Sequence, residues 1–172
     1  MDIQIVDARG DDVYDNWQIQ KMCWLQNFPG MGLGITREDI LDWFDETINS
    51  NRNKLKERSE GVNKNSNQHL WVARYGKRIV GFAAAKRGEE NRLEAMFILP
   101  EYQKKGIGSR FMGQVLDWIG PGKKIYVDVV SNNQNARKFY KRYGFIETNQ
   151  QVDSGVVFSS GASFANIEMV KY

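Results

Sequence analysis

Apolar and polar positions alternate along "IQIVDA", Ile3 to Ala8, which predicts an opening β-strand. From about Asp12 to Asn27 the spacing becomes helical, with Val13, Trp17, Met22 or Cys23, and Leu25 or Gln26 around one side. A proline and three glycines in "NFPGMGLG" break that pattern. It restarts in "ITREDILDWFDETI", where Thr36 is a good N-cap, acids fill the first turn, and Ile40, Phe44 and Ile48 share a face. Residues 51–68 are polar and basic, which predicts a helix extension and then a mobile loop around "EGVNKNSNQ". Two apolar runs about Gly76-Lys77 predict a hairpin, and "NRLEAMFIL" the next strand. After a glycine-bearing turn, Phe111, Met112, Val115, Leu116 and Ile119 mark one side of a helix that "GPGKK" stops. "KIYVDVV" alternates as a strand. "NNQNARKFYKRYGF" reads as a helix capped by Asn132 or Asn133 and ended by Gly144. Two last strands, "FIETNQQ" and "FANIEMVKY", flank a connection "SGVVFSSGAS".

The predicted order is β-α-α-β-β-β-α-β-α-β-β, in which hairpins and crossovers mix. The expected class is therefore α+β (mixed α/β), with one central twisted mixed sheet flanked by helices. No repeat or linker interrupts the 172 residues, so residues 1–172 are expected to form a single domain with a real core. No apolar run approaches the ~20 residues of a membrane span, and the polar, acidic start is unlike a signal peptide. One cysteine, Cys23, leaves no internal disulfide, and one histidine, His69, is too few for a His/Cys metal site. Cys23 itself reads as a small core residue. A cytoplasmic protein without metal or membrane partner is expected. Charge is uneven: ten acids against Arg9, Lys21 and Arg37 give residues 1–50 a balance of −7, and the rest carries +10. No aromatic-rich basic motif accompanies that surplus, so no nucleic-acid partner is expected.

The basic half holds "EYQKKGIGSR", Glu101 to Arg110, between an apolar strand and an apolar helix. Three readings compete for it. A P-loop would need Gly-Lys-Ser/Thr opening the helix, whereas Ser109-Arg110 follows Gly108. A dinucleotide fingerprint matches at Gly106 and Gly108 but meets Phe111 at its third glycine, and too little chain follows Asp128 for a doubly wound fold. A pyrophosphate seat on a helix N-terminus fits better. Backbone N–H groups converge there, the helix dipole favours an anion, glycine allows close approach, and Lys104, Lys105 and Arg110 add charge. A turn that uses glycine only for its geometry is the plain alternative.

Further on, Asn133, Ala136, Phe139, Tyr140, Gly144 and Phe145 stand in the pattern N-x-x-A-x-x-F-Y-x-x-x-G-F. Together, "MFILPEYQKKGIGSRF" and "NQNARKFYKRYGF" resemble the GNAT superfamily of acetyl-CoA-dependent N-acetyltransferases. The first resembles its Q/R-x-x-G-x-G/A loop after a strand ending in V/I-x-P, the second its N-x-x-A-x-x-F/L-Y-x-x-x-G-F segment. The element order fits that fold, while the first two helices match only in kind.

What the resemblance implies is acyl transfer from acetyl-CoA to an amine. Gln103, Lys104, Lys105, Gly106, Ile107, Gly108 and Ser109 would cradle the coenzyme A pyrophosphate. Backbone groups of Phe97 and Ile98, on a strand splayed from its neighbour, and Asn133 would hold the pantetheine arm, with a strand N–H facing the oxyanion. Tyr140 would protonate the leaving thiolate; a core tyrosine is the alternative. Asn133 also reads as a plain N-cap. Glu94 is the candidate base, placed by period two on one face with Met96 and Ile98; a surface ion pair is its alternative. The N-terminal helices would wall the acceptor site. Their acids and Trp17, Trp24 and Trp43 suit a cationic primary amine such as a polyamine, a lysine or a protein N-terminus. A monomer or homodimer is expected. A non-catalytic acetyl-CoA sensor or interaction module is the alternative of a different class.

Overall fold

The computed structural model describes residues 2–172. Strand β1 is Ile3–Asp7, followed by helices α1, Asp12–Asn27, α2, Arg37–Ser50, and α3, Arg52–Gly61. Strands β2, Gln68–Tyr75, β3, Arg78–Lys86, and β4, Arg92–Ile98, lead into α4, Ile107–Ile119. Then come β5, Ile125–Val130, α5, Gln134–Arg142, β6, Ile146–Val157, and β7, Ser163–Lys171. The seven strands form one sheet in the order β1-β2-β3-β4-β5-β7-β6. All neighbours are antiparallel except β4 and β5, the pair joined by a crossover through α4.

Helices cover both faces. Trp71 lies across from Ala83 in the β2–β3 ladder, and its ring meets Trp118 of α4 edge-on at 5.7 Å. The alternate positions Phe82 and Phe97 turn the other way, and Phe97 packs with the aromatic cluster of Trp24 and Phe28. Thus α4 lies under one face and α1 over the other. Phe111, Met112 and Val115 of α4 are fully buried against the sheet. Trp24, Phe28, Ile40, Phe44, Phe158 and Phe164 form a second cluster that joins α1 and α2 to the β6–β7 hairpin.

Three elements differ from the sequence expectation. In α1 Val13 and Cys23 are buried as expected, but Asn16, Ile19 and Trp24 share that inward face with them, and Met22 is 51% exposed. Residues 52–61 form a separate helix, α3, that turns away after α2 and is anchored by the buried Leu55. A helical continuation is what the sequence predicts here, and the non-helical Asn51, at φ −118°, is what makes it a helix of its own rather than an extension of α2. Strand β6 runs on to Val157, through part of the stretch expected to be a connection. Val152, Ser154 and Val156 keep the inward alternation, and Gly155, at φ +68°, bends the strand rather than ending it.

Candidate active site

The site is built around β4. Its register against β3 slips: Ala84 faces Ala95, but Ala85 faces Leu93, so Glu94 is an extra, bulged residue. A bulge re-aims side chains and breaks period two. Glu94 therefore lines a cleft together with Ala95 and Phe97, and Met96 and Ile98 do not. The expected shared face of Glu94, Met96 and Ile98 is corrected on this point. The Glu94 carboxylate is about half exposed and lies 3.8 Å from the Lys86 ammonium, so the ion-pair alternative is present as geometry.

On its other edge β4 parts from β5. Only Arg92 and Leu93 pair, with Tyr126 and Val127. At the base of this fork the Arg92 guanidinium donates to Asp128 at 2.7 Å, and to Glu90 and Glu168 at 3.0 and 3.4 Å. Above it, residues 94–98 have no partner strand on that side. Leu99 N–H bonds Val80 carbonyl at 2.9 Å, so by antiparallel alternation Met96 and Ile98 aim their own N–H and C=O groups into the gap.

The glycine turn follows. Lys104 and Gly106 both have positive φ, 58° and 78°. Gly106 is the N-cap of α4, and no side chain caps that end. The first N–H groups of a 13-residue helix are thus left without a side-chain acceptor, beside the exposed Lys104, Lys105 and Ser109. Ile107 is buried and anchors the turn. An uncapped helix end with exposed ammonium groups fits the pyrophosphate of a coenzyme A, and the unpaired edge of β4 fits its amide-bearing arm.

Two residues of the turn do other work. Arg110 donates to the Ile3 carbonyl at 2.6 Å, so it ties α4 to β1 and is withdrawn from the anion seat. A Cβ at Gly108 would stand 3.2 Å from the Phe139 ring and 3.5 Å from Ile98 Cδ1. Gly108 is there because α4, α5 and β4 meet at that point, whereas the space around Gly106 is open.

From α5, Asn133 accepts the Ala136 N–H at 3.0 Å as a true N-cap, and its side chain borders both the cleft and a smaller amide-rich pocket of about 640 Å³. The Tyr140 ring is packed edge-on between Phe139 and Phe145 and is 7% exposed. Burial raises its pKa, so the hydroxyl stays protonated and remains a donor. Both alternatives, cap and core tyrosine, describe the local packing, and neither prevents a role toward a ligand.

The cleft on the α1 face holds about 1030 Å³. Its walls are Trp17, Gln20 and Trp24 of α1, Trp43 of α2 and the 54–58 stretch of α3. Its floor is Phe82, Ala84, Glu94, Ala95 and Phe97, and Asp128 and Asn166 border the far end. None of the ten acids of residues 1–50 lines it. Asp12 is buried against Arg74 at 2.6 Å, Asp39 belongs to the α2 cap, Asp45 pairs with Lys21 and Asp7 with His69. In place of the acidic wall expected from the N-terminal charge stand tryptophans and amides of α1 and α2, with Lys54, Glu57 and Arg58 of α3 beside them. Pattern counts charges but not their direction. Trp24 and Trp43 stack at 5.1 Å, and Trp17 tilts on Trp43 at 6.3 Å. Carboxylates reach the cleft from Glu57, Glu94 and Asp128.

Two contacts were invisible in sequence. Cys23 is 3% exposed and its thiol donates to the Ile98 carbonyl at 3.3 Å, while burial pushes its pKa up to about 12. Gln103 Nε2 donates to the same carbonyl at 3.0 Å. Among the described residues no cluster of three or more His, Cys, Asp or Glu side chains is arranged for a metal, and no helix is long and apolar enough to cross a membrane.

A family model described as "Acetyltransferase (GNAT) domain" matches residues 34–160. A curated relative, an uncharacterized N-acetyltransferase of Mycobacterium bovis, is 34% identical over 82 residues, which is 44% of this chain and 51% of that protein. The chain thus spans about half the length of the curated relatives it matches. Among solved structures, the PaiA N-acetyltransferase of Thermoplasma acidophilum in complex with coenzyme A superposes with a TM-score of 0.78 at 19% identity, covering 99% of both chains. A chimeric spermidine N-acetyltransferase with Vibrio cholerae sequence superposes at 0.64 and 19% identity, covering 99% of this chain and 95% of that one. At such identities the likeness is one of fold.

Proposed function

Because this chain belongs to the GNAT acetyltransferase family, we propose that it moves the acetyl group of acetyl-CoA directly to a primary amine, with residues 1–172 working as one domain. The observation that carries this reading is the joint geometry of β4. Its fork edge offers unpaired N–H groups next to the uncapped α4 terminus, and its bulge aims a carboxylate into the cleft on the other side. Acetyl-CoA supplies a thioester as co-substrate.

This chain's groups meet the three demands of the reaction. The amine arrives as an ammonium, with a pKa near ~10, and gives its proton to Glu94 directly or through water. As the amine nitrogen bonds to the carbonyl carbon, the Ile98 N–H donates to the oxygen that gains charge. When the carbon–sulfur bond breaks, the thiolate takes the Tyr140 proton, which burial keeps on the ring oxygen until then. For the acceptor we infer a cationic amine whose charge meets the faces of Trp17 and Trp43 and the carboxylates of Glu94 and Asp128.

The test is thiol release from acetyl-CoA with a panel of amines: spermidine, lysine peptides, N-terminal peptides and aminoglycosides. Release that depends on amine, with the acetylated product found by mass, is expected. Tight coenzyme A binding with no acetylated product from any amine would favour a sensor instead.

A further inference from the structure

A free strand edge presents donors and acceptors in turn, because each residue's N–H and C=O point the same way. At Ile98 this creates a conflict. The N–H suits a carbonyl oxygen that becomes an oxyanion, but the C=O beside it would repel that same charge and would be left without a partner. The β4 fork removes the usual partner, since β5 pairs only as far as Leu93. The structure resolves the conflict with side chains. Cys23 Sγ–H, from α1, donates to the Ile98 oxygen at 3.3 Å, and Gln103 Nε2, from the turn before α4, donates to it at 3.0 Å. On the opposite side of the same peptide, Leu99 N–H is fixed on Val80.

We propose that Cys23 and Gln103 are positioning residues for oxyanion stabilisation. By occupying the Ile98 carbonyl they leave the fork edge at that residue a donor only, and they hold the strand so that its N–H faces the thioester oxygen. This rests on the acetyltransferase reading above. A nucleophilic role for Cys23 is a poor alternative, because the thiol is buried, bonded and held protonated. Gln103, expected from its motif to touch coenzyme A, here reaches back to the strand it follows. The clamp also joins the helix that walls the acceptor cleft to the strand that faces the thioester. Preorganised donors act most strongly on charge that develops only in the transition state, so the clamp should govern turnover more than ground-state binding.

The experiment compares wild type with Cys23→Ala, Cys23→Ser, Gln103→Leu and the double variant Cys23→Ala/Gln103→Leu. It measures kcat and KM for acetyl-CoA, coenzyme A affinity by calorimetry, and melting temperature. The expected result is a kcat lowered about tenfold or more in the double variant, as for loss of an aligned transition-state contact. Coenzyme A affinity should stay within about threefold, and Cys23→Ser, which keeps a donor, should recover most of the loss. A double variant with wild-type kcat overturns the proposal. So does a fall in kcat that tracks coenzyme A affinity in every variant, Cys23→Ser included, since that is the mark of packing. If wild type acetylates no amine, the acetyltransferase reading fails on its own. The clamp is then judged by the Ile98 carbonyl-carbon resonance. An upfield move in Cys23→Ala and Gln103→Leu supports it, and an unmoved resonance overturns it.

Discussion

At the scale of single residues, Tyr140 and Glu94 carry the proposed proton transfers. Tyr140 is almost fully enclosed by apolar rings, and desolvation raises its pKa above the ordinary value of 10. Tyr140→Phe should keep coenzyme A affinity and melting temperature but lower turnover at least tenfold, since a positioned acid is typically worth ~10²–10⁴. Full turnover under conditions where chemistry limits the rate would make Tyr140 packing alone. The direction of the shift has a second consequence. The folded state holds this proton more tightly than the unfolded chain does, so its contribution to stability is complete below about pH 10 and declines as pH rises beyond it. Melting temperature in Tyr140→Phe should therefore fall less steeply above pH 10 than in wild type. Glu94→Gln should need a higher pH for activity, where free amine is already abundant, and an unchanged pH–rate profile would mean that the ammonium proton leaves by another route.

At the scale of elements, helix ends do much of the work, and at the start of α4 two roles can be separated by mutation. Gly106 stands at φ +78° with open space around it, so Gly106→Ala carries only a conformational cost of about 1 kcal/mol and should mainly weaken coenzyme A binding. Gly108→Val drives a branched side chain into Phe139 and should lower melting temperature as well. Equal thermal loss in both variants would contradict this division. At the start of α2, Thr36 and Asp39 form a capping box, and Asp39 also accepts from Ser160 N–H at 3.2 Å. Thr36→Ala should cost about 1 kcal/mol in a denaturant titration. Bonds from the Thr36 backbone and from Ser160 lower the Asp39 pKa to about 2. The stability it confers is thus present above about pH 4 and lost as pH falls toward 2. That cap was readable in "TRED", as were the α5 cap at Asn133 and the glycine turn, because each is a local motif with a fixed offset. The bulge at Glu94 was not, because a two-residue period read along one strand assumes an unbroken ladder, and the slip exists only relative to Ala84 and Ala85. The Cys23–Ile98 bond spans 75 positions and likewise has no local signature.

At the scale of the whole molecule, charge separation survives from sequence to structure, but its meaning changes. Residues 1–50 carry −7 and the remainder +10, yet the acids of the first part are spent on pairs, caps and exposed faces rather than on the cleft. The basic part, by contrast, keeps Lys104 and Lys105 exposed beside the α4 terminus. Long-range attraction should therefore act chiefly on the multiply anionic coenzyme and less on the amine, because the cleft carboxylates of Glu94 and Asp128 already face Lys86 and Arg92 and the aromatic contacts are short-ranged. Exposed charges interact over a Debye length of ~10 Å at 0.1 M salt and ~3 Å at 1 M. The KM for acetyl-CoA should then rise severalfold across that range, while the KM for a monoamine changes by less. Lys104→Ala/Lys105→Ala should raise KM at low salt and flatten its dependence on salt. A KM for acetyl-CoA indifferent to salt, or a double variant with the wild-type slope, would place the anion elsewhere. A stronger salt effect on the amine than on the coenzyme would return the steering role to the acids of residues 1–50.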